Sequence, residues 1–330
     1  MGTGGSLFHA PFINCARSLK LAAIVTGNAD RQKQARELYP GAEIIGCADD
    51  LLNRKGEFDL VVITTPNNTH SDLANKFLDA GMHVLVDKPF AIDTKEAKNT
   101  IDLAKKKNRL VIPFHNRRFD SDFLTVKKVL DQRLIGEPQR LESRIERFRP
   151  VPKAGGWRET TKAEDGGGVL FDLGSHLIDQ AICLFGKPDK VSGQLSRRRK
   201  LAVEDDAFIA LEYKSGLSVQ LYASMMTPLP GPRFRINGLS GAYLKKCGDP
   251  QEDMLRAGIK PDAPDFGVET EDLWGKLKIN DGQLTSYASE RGHWLGFYEA
   301  IGDAIKNQTA APVAAEDALL GLEIISELRN

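Results

Sequence analysis

The stretch 166–180 reads GGGVLFDLGSHLIDQ. Its glycines permit a turn, and the residues after them are spaced as a helix. Asp172, His176 and Asp179 then recur at i, i+4 and i+7 and share one face, while Leu173, Leu177, Ala181 and Leu184 form an adjacent apolar stripe. An acid one turn from an imidazole suits proton transfer. The carboxylate orients the ring or raises its basicity, and the ring takes or gives a proton near pH 7. Spacing alone describes a surface Asp–His pair equally well. A metal site is the poorer reading, because three ligands on one helix face are too nearly collinear to surround an ion. Lys88 is a second candidate. It follows the apolar run 83–86 and precedes Pro89, so its backbone is constrained at the mouth of a strand. Partial desolvation suits a lysine to proton traffic; the alternative is a solvated turn lysine.

These groups need elements to hold them. Short apolar runs at 21–25, 43–45, 59–64, 83–86 and 110–112 read as strands, and the near-continuous Val/Ile/Leu of 60–63 fits burial on both faces of a parallel sheet. Helical stripes fill the gaps: Leu73, Ala74, Phe77 and Leu78 form one, and Ala97, Ile101 and Ala104 another. Asp93-Thr-Lys-Glu96 resembles a capping box, and Gly81 and Asn108 close the two helices. The sum predicts an α/β fold: an N-terminal Rossmann domain over 1–115, then an α+β domain over 116–330. The chain opens on a glycine-rich turn, MGTGGSLFHAP, with no strand before it. A dinucleotide fold needs that strand, central in its sheet, to feed a helix whose N-terminus faces a pyrophosphate. The expectation is a start assigned too late or, if the sequence is literal, a compromised sheet.

In the second half, 119–133 reads as a linking helix, 141–145 as a half-buried strand and 149–168 as a loop centred on Trp157 and Arg158. That loop either closes over a substrate or is pinned to the core by its tryptophan. Strands at 190–196, 207–213, 217–223, 233–237 and 242–245, with turns at 214–216 and 239–241, predict an antiparallel meander open on one face. Residues 247–290 show little periodicity and read as an excursion loop. Two amphipathic helices, 294–306 and 314–328, close the chain.

Composition narrows the class. Forty-five basic residues balance forty-five acidic ones, which argues against a nucleic-acid partner. The basic run 197–200 reads as a solvated turn. Cys15, Cys47, Cys183 and Cys247 are scattered, which fits free thiols in a reducing, cytoplasmic setting. The apolar runs fall short of about 18 residues, so no membrane span is expected, and the start shows no signal peptide.

Polar residues gather where ligands sit in open α/β sheets, beyond the strands' carboxyl ends. They are Thr65, Pro66, Asn67 and His70 after the third strand, and Asp87 and Lys88 after the fourth. After the 21–25 strand no acid stands at Thr26 or Gly27, where an NAD ribose would want one. Thr26, Arg31 and Lys33 suit a 2′-phosphate instead, hence NADP, with NAD the alternative.

With FHAP at 8–11, TPN at 65–67, DKP at 87–89 and DLGSH at 172–176, in this order over nearly the whole chain, the sequence resembles the glucose–fructose oxidoreductase/inositol dehydrogenase (Gfo/Idh/MocA) family. NRRFDSDF at 116–123 and WRE at 157–159 make it most similar to the family's NADP-dependent scyllo-inositol dehydrogenases. The resemblance implies that Gly2 and Gly5 are the second and third fingerprint glycines, the first falling before Met1, and that Asp87 stands for the family's usual glutamate. It implies a cofactor site that also includes Phe8, Asn116, Trp157 and Arg158. It further implies a polyol or sugar substrate, a homodimer or homotetramer built on the open sheet, and Lys88, Asp172 and His176 as catalytic groups. Alternatives are another aldose or keto-sugar dehydrogenase, or a non-catalytic cofactor-binding regulator, which would have no need of Lys88 and His176.

Overall fold

The computed structural model describes residues 2–54, 56–152 and 161–329, in two compact units. The first contains Met1–Phe114, Met254–Phe266 and Trp294–Glu316, and the second His115–Asp253, Gly267–His293 and Asp317–Asn330. The chain first crosses to the second unit after Phe114 and then returns twice to the first unit.

In the first unit a π-wound turn, Gly4–His9, runs into α1 (Ala10–Cys15). Then β1 (Ala23–Val25), α2 (Ala29–Leu38), β2 (Glu43–Ile45), α3 (Ala48–Leu52), β3 (Leu60–Ile63), α4 (His70–Asp79), β4 (His83–Val86), α5 (Thr94–Lys107) and β5 (Val111–Pro113) alternate. Local chemistry sets the helix ends. The Asn28 side chain accepts the Arg31 amide to cap α2, and Asp93 accepts those of Lys95 and Glu96 to cap α5. Asn108 ends α5 in the left-handed region at φ 51°. Val84, Leu85 and Val86 of β4 are completely buried, as a doubly covered strand must be.

All pairings here are parallel, but the strands form two sheets, β1–β2 and β3–β4–β5. Among the described residues no strand pairs with the second edge of β1 or of β3. The strands of this unit thus stand as two separate parallel sheets.

The second unit begins with α6 (Ser121–Asp131), β6 (Pro138–Glu146) and, after a second π-wound turn at Leu170–Gly174, α7 (Ser175–Phe185). Strands β7 (Lys190–Ser196), β8 (Asp206–Glu212), β9 (Ser218–Ser224), β10 (Phe234–Gly238) and β11 (Gly241–Lys245) follow. The 247–290 stretch is not a plain loop. It holds α8 (Gln251–Arg256), β12 (Gly275–Ile279) and β13 (Thr285–Tyr287). Its strands are short and carry Lys and Gly, so their periodicity was weak, yet they extend the sheet by two. The order is β13-β12-β11-β10-β6-β9-β8-β7. Strand β6 splits the expected meander and pairs parallel with β9, from Arg140↔Ser218 to Glu146↔Ser224. Alternation follows the pleat: Ile209, Leu211, Val219 and Leu221 are fully buried, while Phe208 and Tyr222 meet on the other face at 5.1 Å. The chain ends with α9 (Trp294–Asn307), in the first unit, and α10 (Ala315–Arg329).

Two expectations change. The 197–200 run is not wholly solvated: Arg199, 4% exposed, pairs at 3.0 Å with Asp205, whose carboxylate also accepts the Arg198 and Arg199 amides. Also, 163–185 is apolar and long enough by composition to cross a membrane. However, Gly166–Gly168 are not helical, and two-thirds of its apolar window is buried in the protein, as in a core helix.

Candidate active site

In the first unit the candidate residues lie at strand ends. The Thr26 amide donates to Ile45 O after β1, and Arg31 and Lys33 are exposed at the start of α2. After β3, Pro66 leads a 3-10 turn, Asn67–Thr69, in which Asn67 is buried and the hydroxyls of Thr65 and Thr69 meet at 2.6 Å. After β4 come Asp87, which donates its amide to Ile63 O, and the half-buried Lys88, joined to Pro89 by a cis peptide. Burial pushes the Asp87 carboxyl up, but the His9 ring and the Lys88 amide and ammonium outweigh it, so it lies below the usual carboxylate range.

The glycine turn fits a close backbone approach. Gly2 has open space where a Cβ would stand, whereas a Cβ on Gly4 would lie 2.7 Å from Asp87 Oδ2. Gly5 is buried. Phe8, expected at the cofactor, packs its ring 5.8 Å from Trp294, and its carbonyl accepts the Tyr298 hydroxyl at 2.6 Å. His70 is 1% exposed, with Nδ1 at 2.8 Å from Pro89 O and Nε2 at 2.9 Å from Thr65 O, which leaves neither ring nitrogen for a ligand. Sequence reading passed over Gly4, His9 and Tyr298. The open space at Gly2, the strand-end loops and the exposed cations of α2 together fit a dinucleotide.

In the second unit the DLGSH motif straddles a change of helix type. Asp172 lies in the π turn, half-buried, and His176, 6% exposed, lies in the first turn of α7. The two therefore do not keep the simple α spacing expected of them, because the wider π turn rotates Asp172 relative to His176. The turn has a fixed start. Gly168, at φ +97°, packs on the Glu204 carboxylate, which accepts the Leu170 amide at 3.2 Å and is held by Arg329 at 2.7 Å.

Asp179 proves to be part of a buried ion network. Arg118 grips it with two bonds, 2.9 and 2.6 Å, and also reaches Asp317 at 2.9 Å. With both oxygens taken, Asp179 serves the scaffold. His115 Nδ1 lies 3.6 Å from Asp179 Oδ2, and its ring stands edge-on to His176 at 6.4 Å. Asn116 is buried in the 3-10 turn Asn116–Phe119. Trp157 and Arg158 lie outside the described residues. Arg147, not anticipated, follows β6 directly and donates its amide to Ser224 O at 2.8 Å. Burial pushes its guanidinium down, the Asp172 carboxylate opposes this, and Arg149 adds to it.

Next to this network, Asp249 accepts the Ser121, Gln251 and side-chain Gln251 N–H groups, yet burial, aided by the charge of Asp122, raises its carboxyl to about 6. A folded pKa above the unfolded value means that the unfolded chain loses this proton first. Between about pH 4 and 6 this group therefore lowers stability as pH rises. Asp249→Asn is expected to remove that decline, at most about 1.4 kcal/mol per pH unit for one proton, measured by urea unfolding across the window.

A family model described as an oxidoreductase family with NAD-binding Rossmann fold matches residues 1–115, and one for the GFO/IDH/MocA C-terminal domain matches 123–244. The chain is 33% identical over 328 residues to scyllo-inositol 2-dehydrogenase (NADP(+)) IolW of Bacillus subtilis, covering 98% of this chain and 89% of the relative. It is 32% identical over 178 residues to inositol 2-dehydrogenase of Rhizobium meliloti, covering 50% and 51%. A crystal structure of an oxidoreductase from Bacillus cereus superposes with a TM-score of 0.91 at 31% identity, covering 99% and 93%.

Proposed function

Because this chain belongs to the Gfo/Idh/MocA oxidoreductase family, we propose that it is an NADP-dependent dehydrogenase of a ring secondary alcohol in a cyclitol or sugar, with scyllo-inositol the first substrate to test. The observation that carries this reading is His176, buried at the start of α7 just after the half-buried Asp172, in a chain similar throughout its length to an NADP-dependent scyllo-inositol dehydrogenase. A bound nicotinamide would supply the redox chemistry as the hydride acceptor. His176 takes the hydroxyl proton as the carbinol carbon is oxidised and returns it in reduction. Asp172 orients the substrate hydroxyls or the imidazole. Lys88 places positive charge against the developing alkoxide. Thr65, Asn67 and Asp87 would hold the cofactor, and Gly2 and Gly5 would leave room for its pyrophosphate. Thr26, Arg31 and Lys33 would hold the 2′-phosphate. The open face of the eight-stranded sheet is the proposed contact of a homodimer or homotetramer.

A panel of inositols, aldoses and keto-sugars against NADP+ and NAD+ tests this reading. Absence of turnover with every pair, despite cofactor binding, would make the protein a regulator instead. Arg31→Ala is expected to raise KM for NADP+ by roughly 10- to 10²-fold, the loss of one charge-assisted phosphate contact, and to leave NAD+ kinetics unchanged. An equal effect on both cofactors would remove Arg31 from the 2′-phosphate.

A further inference from the structure

Lys88 is the proposed electrostatic partner of the reacting oxygen, and its position depends on the short turn after β4. Each of its sequence neighbours stands beside a buried histidine. On the Asp87 side, His9 is 2% exposed and its Nε2 stands 3.9 Å from Asp87 Oδ2. The other nitrogen of His9 lies 3.0 Å from the Tyr298 hydroxyl, which donates to Phe8 O at 2.6 Å. Asp87 in turn accepts the Lys88 amide at 2.8 Å. On the Pro89 side, His70 Nδ1 meets Pro89 O and its Nε2 meets Thr65 O, so one ring ties the loop after β3 to the loop after β4. The rings of Phe12 and Tyr298 stack at 5.4 Å, and His9 packs on Phe114 at 4.2 Å, so the hydroxyl and the imidazole have little freedom. Buried polar groups fixed at both ends set geometry more than they add stability.

We propose that His9, His70 and Tyr298 are positioning residues that clamp the Lys88 turn from both sides. Without them the lysine is free to shift, and a misplacement of about 1 Å costs on the order of 10²-fold in rate. The proposal rests on the dehydrogenase reading only for the consequence in turnover, not for the clamp.

The two ring nitrogens of His70 have different partners, which makes the clamp testable atom by atom. An asparagine amide replaces Nδ1 and keeps the Pro89 contact. A glutamine amide replaces Nε2 and keeps only the Thr65 contact. Tyr298→Phe keeps the stacked ring and removes the hydroxyl. The rate of reductive methylation of the Lys88 amine, read by mass spectrometry with the exposed Lys76 and Lys105 as references, reports the lysine's surroundings whether or not a substrate is turned over. His70→Gln and Tyr298→Phe are expected to change the Lys88 rate by at least about threefold, as a change in desolvation and neighbouring charge would, with His70→Asn closer to the unmodified protein. In kcat on scyllo-inositol with NADP+, His70→Gln and Tyr298→Phe are expected to lose roughly 10- to 10²-fold, and His70→Asn less. Equal Lys88 rates in all four proteins overturn the clamp, as does His70→Gln outperforming His70→Asn. A change shared by Lys76 and Lys105 marks general loosening and overturns it too. The expected Lys88 pattern without any turnover supports the clamp and sinks the dehydrogenase reading.

Discussion

Replacing His176 by alanine is expected to lower kcat/KM on scyllo-inositol by about 10²- to 10⁴-fold, the usual worth of a positioned proton-transfer group. NADP+ affinity, measured by fluorescence titration, should stay within about threefold, since an interaction made only in the transition state does not contribute to ground-state binding. His176 is buried, with its ring edge-on to that of His115 at 6.4 Å. The loss should also abolish one limb of the pH–rate profile, because that limb reports the essential base. Turnover near that of the unmodified enzyme would remove His176 from the proton path.

Lys245→Met is expected to destabilise the second unit by roughly 3–5 kcal/mol, the cost of leaving a buried charge without its partner. Lys245 and Glu269 have side chains with no exposure. The ammonium donates to Glu269 and to Leu273 O at 2.5 Å, while Glu269 also accepts the hydroxyls of Ser121 and, at 2.8 Å, Ser289. Methionine fills the stem of the lysine but leaves the carboxylate with only those hydroxyls. Adding Glu269→Gln should recover much of the loss, since an amide is far cheaper to bury than a charge. Urea unfolding monitored by far-ultraviolet circular dichroism checks both. A loss below about 1 kcal/mol for the single change would mean that water reaches the pair.

Much of this was legible in sequence because it depends on local rules. The strand runs, the Asp93 cap, the left-handed Asn108 and the β8–β9 and β10–β11 turns each follow from a few adjacent residues. The DKP and DLGSH motifs carried the family. What sequence hid was set by distance along the chain. Arg118 and Asp179 are 61 positions apart, and Tyr298 and His9 are 289, so no spacing rule joins them. The insertion of β6 between β10 and β9 is likewise a matter of topology. The π turn at Leu170–Gly174 has no compositional mark, since its residues suit an α-helix as well. His70 was misplaced for the opposite reason: it stands in a motif at a strand end, and only the coordinates show its ring turned inward.

The discontinuous first unit has a consequence for biosynthesis. Helix α9, with Trp294, Phe297 and Tyr298 buried against the rings of Phe12 and Phe114, belongs to that unit although 180 positions separate Phe114 from Trp294. At a translation rate of about 5–20 residues per second, the amino-terminal third waits roughly 10–40 s on the ribosome for the aromatic helix that completes its core. Until then Phe12 and Phe114 lack the rings of that helix. The amino-terminal unit, first to be made, is among the last parts to be finished.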